Sequence, residues 1–414
     1  MKSWSEHTHF AGLDWAEDHH DLVVVDAKGE IPLCATFPHT REGWKQLREA
    51  LGAYPGIPLA IETNQGIVID QLLEAADLAI YPVNPKAAKR YRERKAPSGV
   101  KDDQFDAWSM ADALRVDGHG WRQLTQHDAL TEELRVITRD ELVLIEQRTQ
   151  LANQLRSALR DYYPAALEAF DDWTLESSWA FVATFSTPQA LVAAGKHKWE
   201  KFLHTHKLWR PQTMERRLEI FAAADQMVAR ASVTRAKELL ALSLVKLLRA
   251  LQGQLEVYRA RIEALFAKHP DHDLFGSLPG AAKKLAPRLL AEVGDDRSQF
   301  PHPQSLQCVA GTAPVSFQSG QIHRVYMRRG VNRFLRTAVH LWSDQSRHAC
   351  AWAQAYYAAQ RKRGKSHACA LRCLGQRWLK ILWKMWQEKA CYDEQRHTKN
   401  QTEHGSWVLK LTVS

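Results

Sequence analysis

The chain has 414 residues, 45% of them hydrophobic and 25% charged. It is therefore long enough for two or three domains with their own cores and has the make-up of an ordinary soluble globular protein. The formal charge is +9, from 56 Lys and Arg against 47 Asp and Glu, a surplus that favours a polyanionic partner, most simply nucleic acid. Six scattered cysteines with no CxxC pair exclude a zinc ribbon or a disulfide framework. The most apolar stretch, LLALSLVKLLRAL, is interrupted by Lys246 and Arg249, and the N-terminus has no signal-peptide core. No membrane span is expected, and a reducing cytoplasm fits.

Residues 8 to 37 read as three strands. HFAGLD ends at Asp14, DLVVVD is β-branched, and IPLCATF follows the turn signal Asp26-Ala27-Lys28-Gly29. TREGWKQLREALGAY carries Trp44, Leu47 and Leu51 at helical spacing, with Thr40 as N-cap. PLAIE predicts a buried fourth strand ending on Glu62, QGIVIDQLLEAADL a helix, and AIYPVNP a fifth strand. An acidic helix follows, with Asp102, Asp103 and Asp106 at its start. Hairpin strands followed by alternating β and α predict a mixed sheet with flanking helices over residues 1–120.

Residues 121–270 read as a helical, coiled-coil-like linker. Leu130, Leu134, Ile137, Leu144, Leu151, Leu155 and Leu159 keep one apolar face. So do Leu240, Leu244, Leu247, Leu251, Leu255, Ile262 and Leu265. These arms suit a spacer or an oligomer contact, or a bundle folded on itself. Residues 271–392 form a mainly helical C-terminal domain that opens with a helix-hairpin-helix-like turn at Pro279-Gly280. Such turn amides can face a backbone phosphate, although Ala282 replaces the usual second glycine. Trp378, Trp383 and Trp386 are expected in its core, and residues 393–414 form a polar, frayed tail.

Three constellations could carry chemistry. Asp14 and Glu62 close strands, and Asp103 and Asp106 share a helix face; converging, they would hold one or two Mg²⁺ ions. Spacing alone leaves Asp102 as an alternative to Asp103. The second is basic: Lys86, Lys89, Arg90, Arg92, Arg94, Lys95 and Lys101, with Tyr91 able to stack on a base. It reads as a nucleic-acid contact or as a solvated basic loop. The third sets Ser319-Gly320, in a loop-like setting, before His323, Arg324, Arg328, Arg329, Arg333 and Arg336. A serine nucleophile needs charge neutralisation, which arginines supply at a phosphate, but Ser316 is equally reactive by chemistry alone. His7/His9 and His19/His20 lack a convincing metal partner set, and the latter pair is expected in an exposed turn.

GLDWA, AIETNQG, VNPKAAKRYRERK and VKDDQFDAWSMADAL resemble the N-terminal domain of the DEDD transposases, recombinases of the insertion-sequence one-ten family. VAGTAPVSFQSG, RRGVNRFLR and RKRGKSHACALRCLG resemble that family's C-terminal domain. The match spans roughly residues 8 to 115 and 272 to 390, in the family's order. The resemblance implies an RNase H-like (RuvC-like) N-terminal fold, with the metal tetrad on Asp14, Glu62, Asp103 and Asp106, and so selects Asp103 over Asp102. It implies Mg²⁺ there and Ser319, in preference to Ser316, as the residue joined covalently to DNA. It further implies element ends and target DNA as substrates, a structured guide RNA from the element, and a homo-oligomer, dimer or tetramer. The expected activity is transposition by cutting and rejoining DNA. The alternatives are a RuvC-like junction nuclease that uses water, and a non-catalytic nucleic-acid-binding scaffold.

Overall fold

The computed structural model describes residues 4–74, 78–96, 102–124, 126–403 and 405. The chain divides into two compact units, Met1–His127 and Asp128–Ser414.

The first unit is a mixed α/β layer structure. Its elements are β1 (His9–Trp15), β2 (His19–Asp26), β3 (Leu33–Pro38), α1 (Arg41–Gly52), β4 (Pro58–Ile61), α2 (Ile67–Glu74), β5 (Ala79–Pro82), α3 (Pro85–Lys95) and α4 (Asp103–Asp117). The strands lie in the order β3-β2-β1-β4-β5. β1 is antiparallel to β2 and parallel to β4, and β5 is parallel to β4. The turn after β2 closes where expected: Gly29 adopts φ +94° and its N–H donates to the Asp26 carbonyl at 3.0 Å. Thr40 caps α1, its hydroxyl accepting from the Gly43 N–H at 3.1 Å, and the helix buries Trp44, Leu47 and Leu51.

Successive strand side chains point to opposite faces, and this decides what each face holds. Ala11, Leu13, Leu22, Val24, Leu59 and Ile61 join Leu47, Leu51, Val68 and Leu72 in the core under α1 and α2. Their alternating neighbours Phe10, Val23, Val25 and Ala60 pack with Ala107, Met110, Ala111 and Leu114 of α4. Gly12 lies on the α4 side. A Cβ there would come within 2.7 Å of the Ala111 nitrogen and closer still to the Ala107 carbonyl oxygen. Strand and helix therefore meet backbone to backbone, and only glycine fits.

The second unit is mostly helical. Its first half holds α5 (Ala129–Tyr162), α6 (Pro164–Ala169), α7 (Glu176–Thr184), α8 (Pro188–Thr205), α9 (Pro211–Ala222) and α10 (Ala231–Lys268). Its second half holds α11 (His272–Gly276), α12 (Ala282–Val293), α13 (Pro303–Val309), β6 (Val315–Ser319), β7 (Ile322–Tyr326), α14 (Arg333–Ala349), α15 (Ala351–Lys362), α16 (His367–Glu388) and α17 (Glu394–Glu403). The two long arms, α5 and α10, pair with each other in antiparallel fashion. Lys237 reaches Asp161 at 2.5 Å at one end, Arg148 meets Gln252 at 2.9 Å midway, and Arg261 meets Glu133 at 2.9 Å near the other. Within the chain the arms fold on themselves. Leu155, Leu159, Leu244 and Leu248 are buried at one end, while Leu240 and Leu247 remain 45% and 54% exposed.

Each end of the arm pair carries a core. Tyr162, Tyr163, Trp179, Phe181 and Phe221 form one. Leu134 and Ile262 share the other with Phe275, Leu289, Trp342, Trp378 and Trp386. The expectation that Trp378 and Trp386 are core residues holds. Residues 394–403 form a helix rather than a frayed tail. The hairpin turn before α12 is spent on packing: a Cβ on Gly280 would lie 2.7 Å from the Gln345–Ser346 backbone, and Trp342 Nε1 donates to the Pro279 carbonyl at 2.9 Å. Ala282 takes φ +44°, where an L-residue is strained by about 1 kcal/mol. Among the described residues no helix is long and apolar enough to cross a membrane.

Candidate active site

The face alternation of the first unit concentrates acids under α4. Asp14 follows Phe10 and Gly12 on that side, and it pairs directly across from Asp21 of β2. Leu13 is in register with Ile61, so Glu62 follows on the parallel neighbour strand beside Asp14. Asp103 and Asp106 occupy the first turn of α4, the end of a helix that favours negative charge. The electrostatics register the convergence. Burial and the charges of Asp106, Asp103, Glu62 and Asp21 push the Asp14 carboxyl up to about 6.

Asp102 stands apart. It is the N-cap residue of α4, makes no side-chain capping bond, and its charge acts instead on the thiol of Cys34, which burial and Asp21 also raise. Asp106 is held at one oxygen only: Arg92 Nη1 donates to Oδ2 at 2.7 Å. Its Oδ1 is buried and has no hydrogen-bond partner among the described residues. A buried carboxylate oxygen left open among four other acids fits a hard divalent cation.

Two side chains of the site were not expected there. His19 Nε2 lies 3.4 Å from Asp21 Oδ2 and 3.7 Å from Asp103 Oδ2, so these three can share one ion. Asp21 is buried and accepts from the Thr36 hydroxyl, which in turn accepts from Gln104 Nε2 at 3.3 Å. His19 and His20 thus begin β2 and do not lie in an exposed turn. His20 is fully buried, 2.9 Å from His39 Nδ1, and burial with the neighbouring His39 and His19 lowers its pKa to about 4.

The basic stretch is a helix, α3, capped by Asn84, which accepts from the Lys86 N–H at 3.0 Å. Its C-terminal half turns toward α4. Beyond the Arg92–Asp106 bond, Lys95 pairs with buried Asp112 at 2.8 Å and Arg94 lies 3.9 Å from the same carboxylate. Tyr91 packs against Trp121 with ring centroids 5.6 Å apart, so it is part of the core side rather than a free platform. Lys86, Lys89 and Arg90 remain exposed, and Lys89 pairs with Glu93 at 3.7 Å. Lys101 lies outside the described residues.

Ser319 ends β6, beside the two-residue connection Gly320-Gln321, and pairs with Ile322. Its setting is therefore a β-hairpin and not an open loop. Every residue of both strands, Ser316 and Ser319 included, is exposed. Arg324 lies on β7 and Arg329 beyond it, both exposed. Arg336 plays a different part: its guanidinium donates to the Arg328 carbonyl and packs over Gly311, tying down the hairpin's root. Arg333 stacks on Phe334 at 5.0 Å. Asn332 caps α14 and donates to buried Glu292 at 2.6 Å, and Arg139 of α5 reaches the same carboxylate with two bonds of 2.7 and 2.8 Å.

Comparison with known proteins places this geometry. A transposase model of the DEDD type from IS110 matches residues 11–164, and one described as the IS116/IS110/IS902 transposase family matches residues 272–358. A protein of Streptomyces coelicolor whose name assigns it to transposition of the IS117 mini-circle is 33% identical over 94% of this chain and 96% of its own length. The chain belongs to the IS110 transposase family. An uncharacterised protein of insertion element IS110 itself, also from Streptomyces coelicolor, is 28% identical over 93% of the chain and 95% of its own length. One of IS900 from Mycobacterium paratuberculosis is 29% identical over 92% and 96%. Both the acidic helix and the serine hairpin lie inside the segments that define the family.

Proposed function

We propose that this chain is the DNA transposase of an insertion sequence, with Asp14, Glu62, Asp103 and Asp106 as Mg²⁺ ligands and Ser319 as nucleophile. The observation that carries the reading is the placing of these acids on the α4 side of the sheet and in the first turn of α4, where burial and the charges of Asp106, Asp103, Glu62 and Asp21 push the Asp14 carboxyl up to about 6. The strand order, antiparallel on one side of β1 and parallel on the other, supports an RNase H-like (RuvC-like) first unit. Mg²⁺, when bound, would neutralise charge on a scissile phosphate and allow Asp14 to remain ionised near neutral pH. Arg92 holds Asp106 by one oxygen and leaves the other for the ion.

Ser319 Oγ attacks the phosphorus of a DNA backbone phosphate, forming an Oγ–P ester. One bridging P–O bond breaks, and the released sugar oxygen takes up a proton. The ester conserves the bond energy for rejoining to a second strand. Arg324, on β7 two residues from Ile322, the strand partner of Ser319, is exposed and suits the charge that develops on phosphate. Lys86, Lys89 and Arg90 are exposed cations for nucleic-acid backbone, giving strongly salt-dependent binding. We also propose a structured guide RNA from the element as partner, and a dimer or tetramer as the working form. Leu240 and Leu247, exposed on α10, support the latter.

The test uses full-length protein, Mg²⁺ and labelled element-end DNA. A protein–DNA adduct that survives denaturation, maps to Ser319 and disappears in Ser319→Ala is expected. Asp14→Asn should abolish the adduct while leaving DNA binding. Wild-type cleavage by Ser319→Ala, with no adduct at any stage, would give the reaction to water and remove the serine from the scheme.

A further inference from the structure

A cavity of about 680 Å³ opens in the second unit between the C-terminal half of α16 and α17, remote in sequence from the tetrad and from Ser319. We propose that it takes one unpaired nucleotide of a single strand, DNA or RNA, with the base inside and its phosphate at the mouth. This rests on reading the chain as an enzyme that acts on nucleic acid.

Its chemistry is sorted by position. Ile381, Met385 and Tyr392 supply an apolar wall, and Trp352 behind it fixes the tyrosine by donating to its hydroxyl at 3.0 Å. A planar base gains by stacking on or lying against such a wall. Arg377 and Lys380 stand one turn apart on the exposed side of α16. Lys380 has no ion partner among the described residues, and Arg377 only packs over Tyr356 at 5.8 Å. Two cations without carboxylate partners beside an apolar slot suit a phosphate.

The remaining groups separate a base from an acidic peptide. Glu388 and Asp393 also line the cavity, beside Lys384 and Arg396, and a peptide carboxylate could use only the cations and not these two acceptors. A base with an exocyclic amine offers them N–H donors instead. Glu388 accepts from Arg396 at 2.9 Å at one oxygen and has Lys384 3.7 Å from the other, while Asp393 takes the Gln395 and Arg396 N–H groups at Oδ1 and offers Oδ2. Asn400 lines the same space with both a donor and an acceptor and has no partner among the described residues. His397 adds no charge: burial lowers its pKa, and its Nε2 bonds Gln401 Nε2 at 2.7 Å.

Binding of fluorescein-labelled octanucleotides to the full chain tests the assignment, with (dC)8 and its RNA equivalent compared with (dT)8 and a 20-base-pair duplex. Cytosine octamers, which carry the amine, should bind about tenfold more tightly than (dT)8. Arg377→Glu combined with Lys380→Glu should weaken octamer binding about tenfold or more and duplex binding less than about twofold. Asn400→Ala should narrow the preference for cytosine. The DNA and RNA arms show which strand is taken. Octamer binding unchanged by the charge reversals, or reduced no more than duplex binding, would overturn the cavity assignment alone. Polyglutamate displacing (dC)8 more effectively than unlabelled (dC)8 would give the cavity to an acidic peptide and overturn it too. A wild-type chain that binds neither octamer nor duplex would instead refute the nucleic-acid reading of the whole protein.

Discussion

The acidic site and the serine hairpin are built in opposite ways. The acids sit where a sheet face and a helix start meet without a side chain between them, and the direction of each carboxylate is set by strand parity or by the first turn of α4. Ser319 sits on two strands of which both faces are open to solvent, with Phe317 at 50% and Val325 at 59% exposure. A two-stranded hairpin has marginal stability by itself and is held here only at its root. The acids are fixed by the packing of the first unit, whereas the hairpin leaves its apolar side chains open to solvent.

The sharpest test of this contrast is at the hairpin's root. Glu292 is buried and holds both Arg139 and Asn332, so Glu292→Ala should cost about 3 kcal/mol in chemical denaturation, because it removes the charge-assisted bonds that join a half-buried arginine to the cap of α14. A loss below about 1 kcal/mol would mean that the root is not anchored as described. In the first unit, Gly12→Ala should cost about 3 kcal/mol and abolish Mg²⁺-dependent cleavage, since the added methyl meets the α4 backbone. Activity retained in that variant would show that α4 can back away without disturbing the acids.

A third test uses proton linkage in chelator-treated protein. The Asp14 pKa is raised in the fold, so the native state binds more protons than the unfolded chain between about pH 4 and 6. Its contribution to stability is present at the acid end and is lost as pH rises through that window. His20 acts with the opposite sign: its pKa is lowered to about 4, so stability rises with pH between about 4 and 6.5. The two are separated by subtraction. The stability of Asp14→Asn relative to wild type should increase from pH 4 to pH 7, and a flat difference would mean that the acids do not converge. The smallest effect is expected on the hairpin. Phe317→Ser should change stability by less than about 0.5 kcal/mol, because the ring is half exposed, yet reduce adduct formation with DNA. A large loss of stability would instead show that the hairpin is packed.

Much of the first unit was legible in the residues. HFAGLD, DLVVVD and PLAIE alternate or run apolar as strands, Thr40 announces its helix, and the acids at 14 and 62 close strands that are neighbours. Asp21 and His19 were not legible, because a lone acid in a β-branched run has no local pattern. Their meaning comes from pairing across the strand: Asp14 and Asp21 flank the turn at residues 17 and 18 symmetrically, and counting outward from that turn would have found them. Acidic spacing alone leaves Asp102 and Asp103 open, and the family resemblance selects Asp103, which lies in the first turn of α4 while Asp102 is its N-cap. In the basic stretch, dense charge masked a helix whose Arg92 and Lys95 are occupied by acids of α4. The Ser319 hairpin was hidden differently, since its strands lack the buried face that makes alternation readable. The long arms showed their periodicity plainly. Whether they would pair with each other was open until cross-arm partners such as Arg148 and Gln252 were seen.

The parity of β1 gives the acidic site something like a reading frame. Inserting one residue between Gly12 and Asp14 would turn the carboxylate to the side of Leu13, among the leucines under α1, and bring a leucine to the α4 face. Two inserted residues would restore the face but shift Asp14 along the strand by one repeat. Insertions in the turn after β2, by contrast, leave every acid in phase. Length variation among related chains should therefore accumulate in the connections and be absent from β1, β2 and β4, whatever the side chains between the acids become.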